Sequence, residues 1–407
     1  MRAMNTLNQN PHSSARLNIA LVTETYLPEV NGVAITIGRM VHGLRQHGHH
    51  IHMVRPRQHK QDVAVKEDRY GETLVAGMPI PGYPELKSGL PAKGRLIKLW
   101  KEQRPDIVHI ATEGPLGWSA LSAARKLNLP VSTDFHTNFH NYTAHYGIGL
   151  LKRPIAAYLR HFHNKADCTL VPTASLQREL EQDNYRNVLV VSRGVDADLF
   201  QPEKRDAGLR ASWGADDDTP IVMLVSRIAA EKNLPVVFQA FREMQTVDAR
   251  AKLVIVGDGP ARAELQRQHP DVIFAGMQTG EALARHYASG DIFLYPSLTE
   301  TYGNVTVEAM ASGLATVAYD YAAARQHIRH DVNGLLVPFD DTAAFVTQAK
   351  GLISDMHRVQ RLRVEARRTV ASLTWEHIMG QMEAVLLDTV RIQGVDHVQP
   401  ETAVATD

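Results

Sequence analysis

The sequence predicts two doubly wound α/β domains that face each other across a cleft. Its 407 residues exceed what one core commonly supports. Short apolar runs alternate with amphipathic helical stretches, and after residue 219 that alternation begins a second time.

The first 15 residues, within "MRAMNTLNQNPHSSAR", are polar and are expected to be a disordered N-terminus. The first domain is expected over residues 16–197. There "LNIALVT" reads as a strand, "ITIGRMVHGLRQHG" as a helix and "HIHMVRP" as the next strand; further on, "DIVHI", "GWSALSAARKLN" and "PVSTDFH" repeat the pattern. The stretch "RGVDADLFQPEKRDAGLRASWGADDDTP" is rich in charge and turn residues and reads as the junction. A second domain follows over 198–372. Its strands are "PIVMLVSRI", "AKLVIVGDG", "DVIFAG" and "DIFLYPS", each followed by helical text. The amphipathic "LTWEHIMGQMEAVLLDTVRI" is a final helix, 373–392, expected to pack back on the first domain, and 393–407 read as a disordered tail.

Composition excludes several functions. Hydrophobic residues make up 44% and charged residues 22%, with a net charge of zero, which is no footprint for nucleic acid. The twenty histidines are scattered without metal-site spacing. Cys168 is the only cysteine, so no intrachain disulfide can form, and a reducing compartment fits. No signal-peptide core and no apolar run of 18 residues is present. The expectation is a cytoplasmic protein, with peripheral contact on an anionic membrane face as its one membrane option.

In open α/β sheets ligands bind beyond the carboxyl ends of the strands, so the chemistry is sought in the loops there. The loop after the first strand, "TETYLPEVNG", lacks GxGxxG but ends in Asn31-Gly32 at a helix start, where a bare amide can approach an anion. A plain turn explains it equally. In "VSRIAAEKN", Arg227 and Lys232 leave a strand end together, either as solvated surface charges or as a pair that binds an anion. The segment "SLTETYGNVTVEAMASG" sets a β-branched run, Val305 to Val307, where a helix must begin. If Gly303 makes the turn, Asn304, Val305 and Thr306 form a first helical turn whose amides suit a diphosphate. Glu300 and Glu308 then flank the diphosphate and accept hydrogen bonds from hydroxyls, a ribose on one side and a sugar on the other. The bland alternative is that Glu300 complements the helix dipole and Glu308 is a surface residue. His136 follows "PVSTDF" at a strand end, and Asp134 is placed to orient that loop.

Together "VSRIAAEKN", "VGDGP", "RGVDADLF" and "ETYGNVTVEAMASG" resemble the motifs of family 4 retaining glycosyltransferases of the GT-B fold, the last matching their E-x7-E signature. "ETYLPEVNGVA", "DFHTNF" and "YLRHFHNKADCTLVPT" resemble a subset: GDP-mannose-dependent α-mannosyltransferases and the sulfoquinovosyl- and glucosyl-transferases that act on diacylglycerol-type lipids. The resemblance runs from about Leu17 to Val390. It implies that Arg227 and Lys232 bind the donor diphosphate and that Gly32 offers its amide to it. It implies that Glu308 holds the ribose, that Glu300 contacts the donor sugar and that His136 lies by the sugar's face. It implies a retaining hexosyl transfer by front-face displacement, most readily α-mannosyl from GDP-mannose to a lipid or glycan hydroxyl, with neither metal nor cofactor required. The strings "DAD" (Asp196–Asp198) and "DDD" (Asp216–Asp218) read as loop charges.

The acceptor is the least legible part. "YGIGLLKRPIAAYLRHFHNK" is a basic amphipathic helix that either lies on an anionic membrane or is half-buried in the first domain. Alternatives are a UDP-sugar-dependent glucosyl or sulfoquinovosyl transferase, a nucleotide-sugar epimerase or hydrolase, a noncatalytic sugar-nucleotide sensor, and a nicotinamide oxidoreductase, against which the missing GxGxxG argues.

Overall fold

The structure, a computed structural model, describes residues 16–29, 31–80, 83–136 and 152–396. Residues 1–15 and 397–407, on which the two disordered ends are expected, lie outside the described residues. Two sheets organise the rest. The first contains β1 (Asn18–Val22), β2 (His50–Pro56), β3 (Lys66–Glu67), β4 (Tyr70–Val75), β7 (Ile107–Ile110), β8 (Val131–Asp134), β9 (Cys168–Val171) and β10 (Val188–Val190), in the order β10-β9-β8-β7-β1-β2-β4-β3. The second contains β11 (Ile221–Val225), β12 (Lys252–Val256), β13 (Ile273–Gly276), β14 (Ile292–Tyr295), β15 (Ala315–Tyr319) and β16 (Leu335–Val337), in the order β13-β12-β11-β14-β15-β16.

All neighbours in the second sheet are parallel, and the only antiparallel pair described in the first is the two-residue edge strand β3 on β4. A separate antiparallel hairpin joins β5 (Gly77–Ile80) and β6 (Tyr83–Gly89). These pieces between β2 and β7 depart from the expected simple alternation. The central strands are apolar runs because helices cover both faces: every residue of β7, β11 and β14 is buried. The topology places the chemistry. Strand order reverses between β1 and β7 and again between β11 and β14, and the loops after these four strands open into the cleft.

The chain crosses between the sheets twice, side by side. Val195 donates its amide to the Leu373 carbonyl at 2.8 Å and pairs with Thr374. Gly194 permits that approach, since a Cβ there would lie 2.6 Å from the Trp375 amide nitrogen. After the second crossing the helix Trp375–Asp396 returns to the first sheet. Its Ile378, Met379, Met382 and Leu386 join the core that holds Met40, Leu44 and Met53. Glu383 reaches His47 at 2.8 Å and His49 at 3.1 Å. The helix continues to Asp396 instead of ending at 392, and Gln393 donates to Asp167 at 2.8 Å; that contact keeps in the fold a segment expected to be tail.

Candidate functional site

A cavity of about 1150 Å³ lies between the two sheets. Gly32, His136, Arg227, Lys232, Glu300, Asn304 and Val305 all line it. Residues far apart in sequence meet because each follows the end of β1, β8, β11 or β14, and three of these four strands stand at the reversals.

The second domain supplies the cationic wall. Gly257 and Gly259 of the "VGDGP" loop pack directly on the backbone that carries Arg227. A Cβ on Gly257 would overlap the Ser226 carbonyl oxygen, and one on Gly259 would overlap that of Ile228. Arg227 is ion-paired with the buried Glu231 at 2.6 Å. Burial would raise the Glu231 carboxyl, but the guanidinium outweighs it and holds it below the ordinary range. Lys232 is ion-paired with Glu300. Burial alone would depress its ammonium, but Glu300 and Tyr295 hold it above the usual amine range, so it stays charged. Both cations are therefore held from behind by carboxylates, with their positions set before any anion arrives. On Glu300, Lys232, the Tyr295 hydroxyl and the Ser297 hydroxyl (2.7 Å) all meet Oε1, so Oε2 receives no hydrogen bond among the described residues.

Between the acids, Gly303 takes φ 89°, a left-handed conformation natural to glycine, and caps the helix Asn304–Ala311. The amides of Asn304 and Val305 have no partner among the described residues. Thr306 departs from the expected trio. Its amide donates to the Gly303 carbonyl at 3.0 Å, its side chain is buried, and it does not line the cavity, because the first turn closes tightly on itself. Glu308 also lies beyond the lining. It accepts from the Tyr287 hydroxyl at 3.0 Å. Burial pushes its carboxyl up to about 7, against the opposing effects of that hydroxyl and of the Arg39 charge.

The first domain supplies the opposite wall. Asn31 caps the helix Gly32–Gln46 by accepting from the Ala34 amide at 2.8 Å. A Cβ on Gly32 would meet nothing within 4 Å, so neither packing nor backbone conformation calls for glycine there. His136 follows β8, with its Nε2 3.0 Å from Asp134 Oδ2 but off the hydrogen-bond direction. Asp134 is fully buried, with Arg193 and His109 also near it. Burial would raise its carboxyl, yet the charges of His136 and Arg193 draw it well below the ordinary value. Thr301, next to Glu300, donates to the His136 carbonyl at 2.6 Å and so ties the walls together.

Sequence reading missed Glu231, Tyr295 and Ser297, which hold the cations and Glu300. It also missed Glu113 and Trp118 on the far lining. The signal for these two was available: "ATEGPLGW" directly follows β7, a strand at the reversal. In the basic helix, residues 146–151 lie outside the described residues. The helix Lys152–His163 buries Leu159 and Phe162 in the first domain, turns Tyr158 to the cavity and leaves Arg153 and His161 exposed. The acidic strings are used locally: Asp196 pairs with Arg39 at 2.7 Å, and Asp216 accepts from Thr219 at 2.6 Å. Among the described residues no three His, Cys, Asp or Glu side chains come together in a way that could hold a metal ion, and no helix is long and apolar enough to cross a membrane.

Comparisons with known proteins bear on the family and the fold. Residues 30–199 match a model described as Glycosyltransferase Family 4, and residues 219–355 one described as Glycosyl transferases group 1. The chain is similar to a GDP-mannose-dependent alpha-mannosyltransferase of Mycolicibacterium smegmatis, 34% identical over 91% of this chain and 98% of that one. It is also similar to an alpha-monoglucosyldiacylglycerol synthase of Streptococcus pneumoniae, 30% identical over 74% of this chain and 71% of that one. Among solved structures, sucrose-phosphate synthase from Thermosynechococcus elongatus superposes with a TM-score of 0.78 at 19% identity, covering 93% of this chain and all of that one. Anabaena HepE in complex with UDP and glucose superposes with a TM-score of 0.71 at 15% identity, over 92% of this chain and all of that one.

Proposed function

Because the chain belongs to glycosyltransferase family 4 and has the GT-B fold, we propose that this nucleotide-sugar-dependent glycosyltransferase moves an α-mannosyl group from GDP-mannose to a hydroxyl of a lipid or glycan acceptor. The anomeric configuration is retained and no metal takes part. The observation that carries the reading is the convergence of Arg227, Lys232 and the unpartnered Asn304 and Val305 amides on one cavity, facing Gly32. That set of donors fits a diphosphate. Gly32 supports the same reading, because its missing Cβ leaves room that only a ligand would use.

In the proposed reaction the bond from the anomeric carbon to the diphosphate oxygen breaks as the bond to the acceptor oxygen forms on the same face. The acceptor proton passes to the departing diphosphate. Arg227, Lys232 and the helix amides take up the charge that grows on the leaving group. Glu231 and Glu300 position the two cations, and the Oε2 of Glu300 is left for a sugar hydroxyl. His136, with Asp134 behind it, lies by the sugar. Glu308 takes the ribose hydroxyls one helical turn beyond Asn304.

A UDP-sugar-dependent glucosyl or sulfoquinovosyl transfer is the second reading, and the similarity to the alpha-monoglucosyldiacylglycerol synthase supports its glucosyl part. Calorimetric titration with GDP and with UDP, in EDTA, decides between them. The proposal expects tight binding of GDP, weakened in Glu308→Ala; tight UDP binding would move the donor to the second reading, and no binding of either would overturn both. Peripheral contact with an anionic membrane is part of the proposal, supported by Arg153 and His161 on the outward side of the helix Lys152–His163 beside the cavity. Failure to float with anionic vesicles would remove it.

A further inference from the structure

The first crossing between the sheets carries a buried charge that has no part in the transfer step. Arg193 lies two residues before Val195, its side chain is 3% exposed, and it lines the cavity. Its guanidinium turns to the first domain, where Nη2 stands 3.4 Å from His136 Nδ1 and 3.8 Å from Asp134 Oδ2. Both oxygens of Asp134 are buried without a hydrogen-bond partner among the described residues, so the charge of that carboxylate is answered by its neighbours. These are Arg193, His136 at 3.0 Å and His109 at 3.5 Å, and Arg193 alone among them is charged at every working pH.

The backbone of Arg193 is held from the other side. Its carbonyl accepts from the Tyr302 hydroxyl at 3.1 Å, and the same hydroxyl meets His327 Nε2 at 2.9 Å. A phenol has one proton and a carbonyl can only accept, so that proton goes to Arg193 and His327 donates in turn. Burial pushes His327 down to about 4, which keeps it neutral in that role. Beside Arg193, Ser192 accepts from the Gln326 amide at 3.1 Å. Thr301 and Tyr302 are the two residues between Glu300 and Gly303, and Thr301 donates to the His136 carbonyl. The contacts close a ring: Thr301 on the His136 backbone, Tyr302 on the Arg193 backbone, and the Arg193 side chain on the His136 ring. The flexible part of that ring is the Arg193 side chain, and burial immobilises it.

We infer that Arg193 is a positioning residue: it sets the His136 ring against Asp134 and, through Tyr302, in register with the Glu300 loop, so that the two walls meeting the donor sugar are aligned as one unit. The inference rests on the glycosyl-transfer reading, in which His136 and Glu300 both lie by the sugar. Arg193 acts through His136 and does not touch the sugar. The test is calorimetry on the full chain with GDP and GDP-mannose, and with UDP and UDP-glucose, for the wild type, His136→Ala, Arg193→Lys and the double variant; the ratio of sugar-nucleotide to nucleotide affinity is read on the pair that the wild type binds. Lysine keeps a cation for Asp134 but, with a shorter reach and no planar fork, loses the contact with the ring. Arg193→Lys is therefore expected to keep the nucleotide affinity and nearly the whole melting temperature, while the ratio falls about tenfold. The double variant is expected to show the ratio of His136→Ala alone. Tyr302→Phe, which removes the hydroxyl on the Arg193 carbonyl, should lower the same ratio, and it decides the matter if the lysine variant does not fold. Additive losses in the double variant would mean that Arg193 touches the sugar itself and would overturn the inference. So would an unchanged ratio in Arg193→Lys, or a fall in melting temperature and nucleotide affinity with the ratio intact. Binding of none of the four nucleotides would overturn the transfer reading, and the inference with it.

Discussion

At the scale of single residues, Glu308 makes the clearest pH prediction. Its carboxyl is pushed from an ordinary 4.5 to about 7 by burial, so between those values the folded chain keeps a proton that the unfolded chain has lost. Stability contributed by this group therefore falls as pH rises from about 4.5 to about 7 and is level above that. Binding should move the other way. Ribose hydroxyls donate to the ionised form, so nucleotide affinity is expected to rise through pH 7 in the wild type and to be flatter in Glu308→Gln, as read by calorimetry at pH 6 and 8. For Arg227→Ala, turnover is expected to fall about 10²-fold or more with acceptor KM nearly unchanged, because the interaction strengthens as the leaving group charges. Turnover within a few-fold of the wild type would contradict that role. Arg227, Lys232 and Glu300 were legible in sequence because each sits in a short motif at a strand end. Glu231 was not singled out, although it lies inside the same motif, because a carboxylate that positions a cation looks like any surface acid until its burial is known.

Elements show where local propensity loses to packing. The run Val305-Thr306-Val307 favours a strand, yet it begins a helix because Thr306 and Val307 are buried against the second sheet's core. The helix start expected from sequence agrees with the structure in outline and overreaches only at the Thr306 amide, since a tight first turn is invisible in composition. The helix beginning at Gly32 permits a test in which stability and binding separate. With nothing within 4 Å of where a methyl group would sit, Gly32→Ala should leave the melting temperature equal or slightly higher, since alanine favours helix by up to about 1 kcal/mol. The same methyl should weaken diphosphate binding about tenfold by blocking the close approach. A joint loss of stability and affinity would show that the glycine serves the fold. Gly257→Ala gives the contrast: its Cβ would overlap the Ser226 carbonyl oxygen, so it should destabilise the domain outright.

For the whole molecule, the repeated alternation of strand and helix made both domains readable, because parallel sheets covered on two faces need continuous apolar strands. The separate hairpin was missed because its strands carry proline and glycine and give no clean alternation, and the edge strand Lys66–Glu67 because two residues give no period. The end of the cavity away from the cations was missed for a different reason: it is assembled by topology, from the loop after β7 and the helix Lys152–His163, about which spacing says nothing. The returning helix is expected to matter for stability. Met382 is wholly buried in the first core, so Met382→Ala should cost about 2–5 kcal/mol in chemical denaturation, unless the Trp375–Asp396 helix is only a loose cover.

The paired crossings at Val195 and Thr374 also bear on how such a protein can be recombined. Because the described chain both starts and finishes against the first sheet, the second domain is a cassette inserted in the other, with its two seams side by side. Exchanging that cassette between relatives at the seams would leave the closing helix on its native partner and, on the proposed reading, carry nucleotide choice with it, whereas a single cut in mid-chain would strand the helix with a foreign partner.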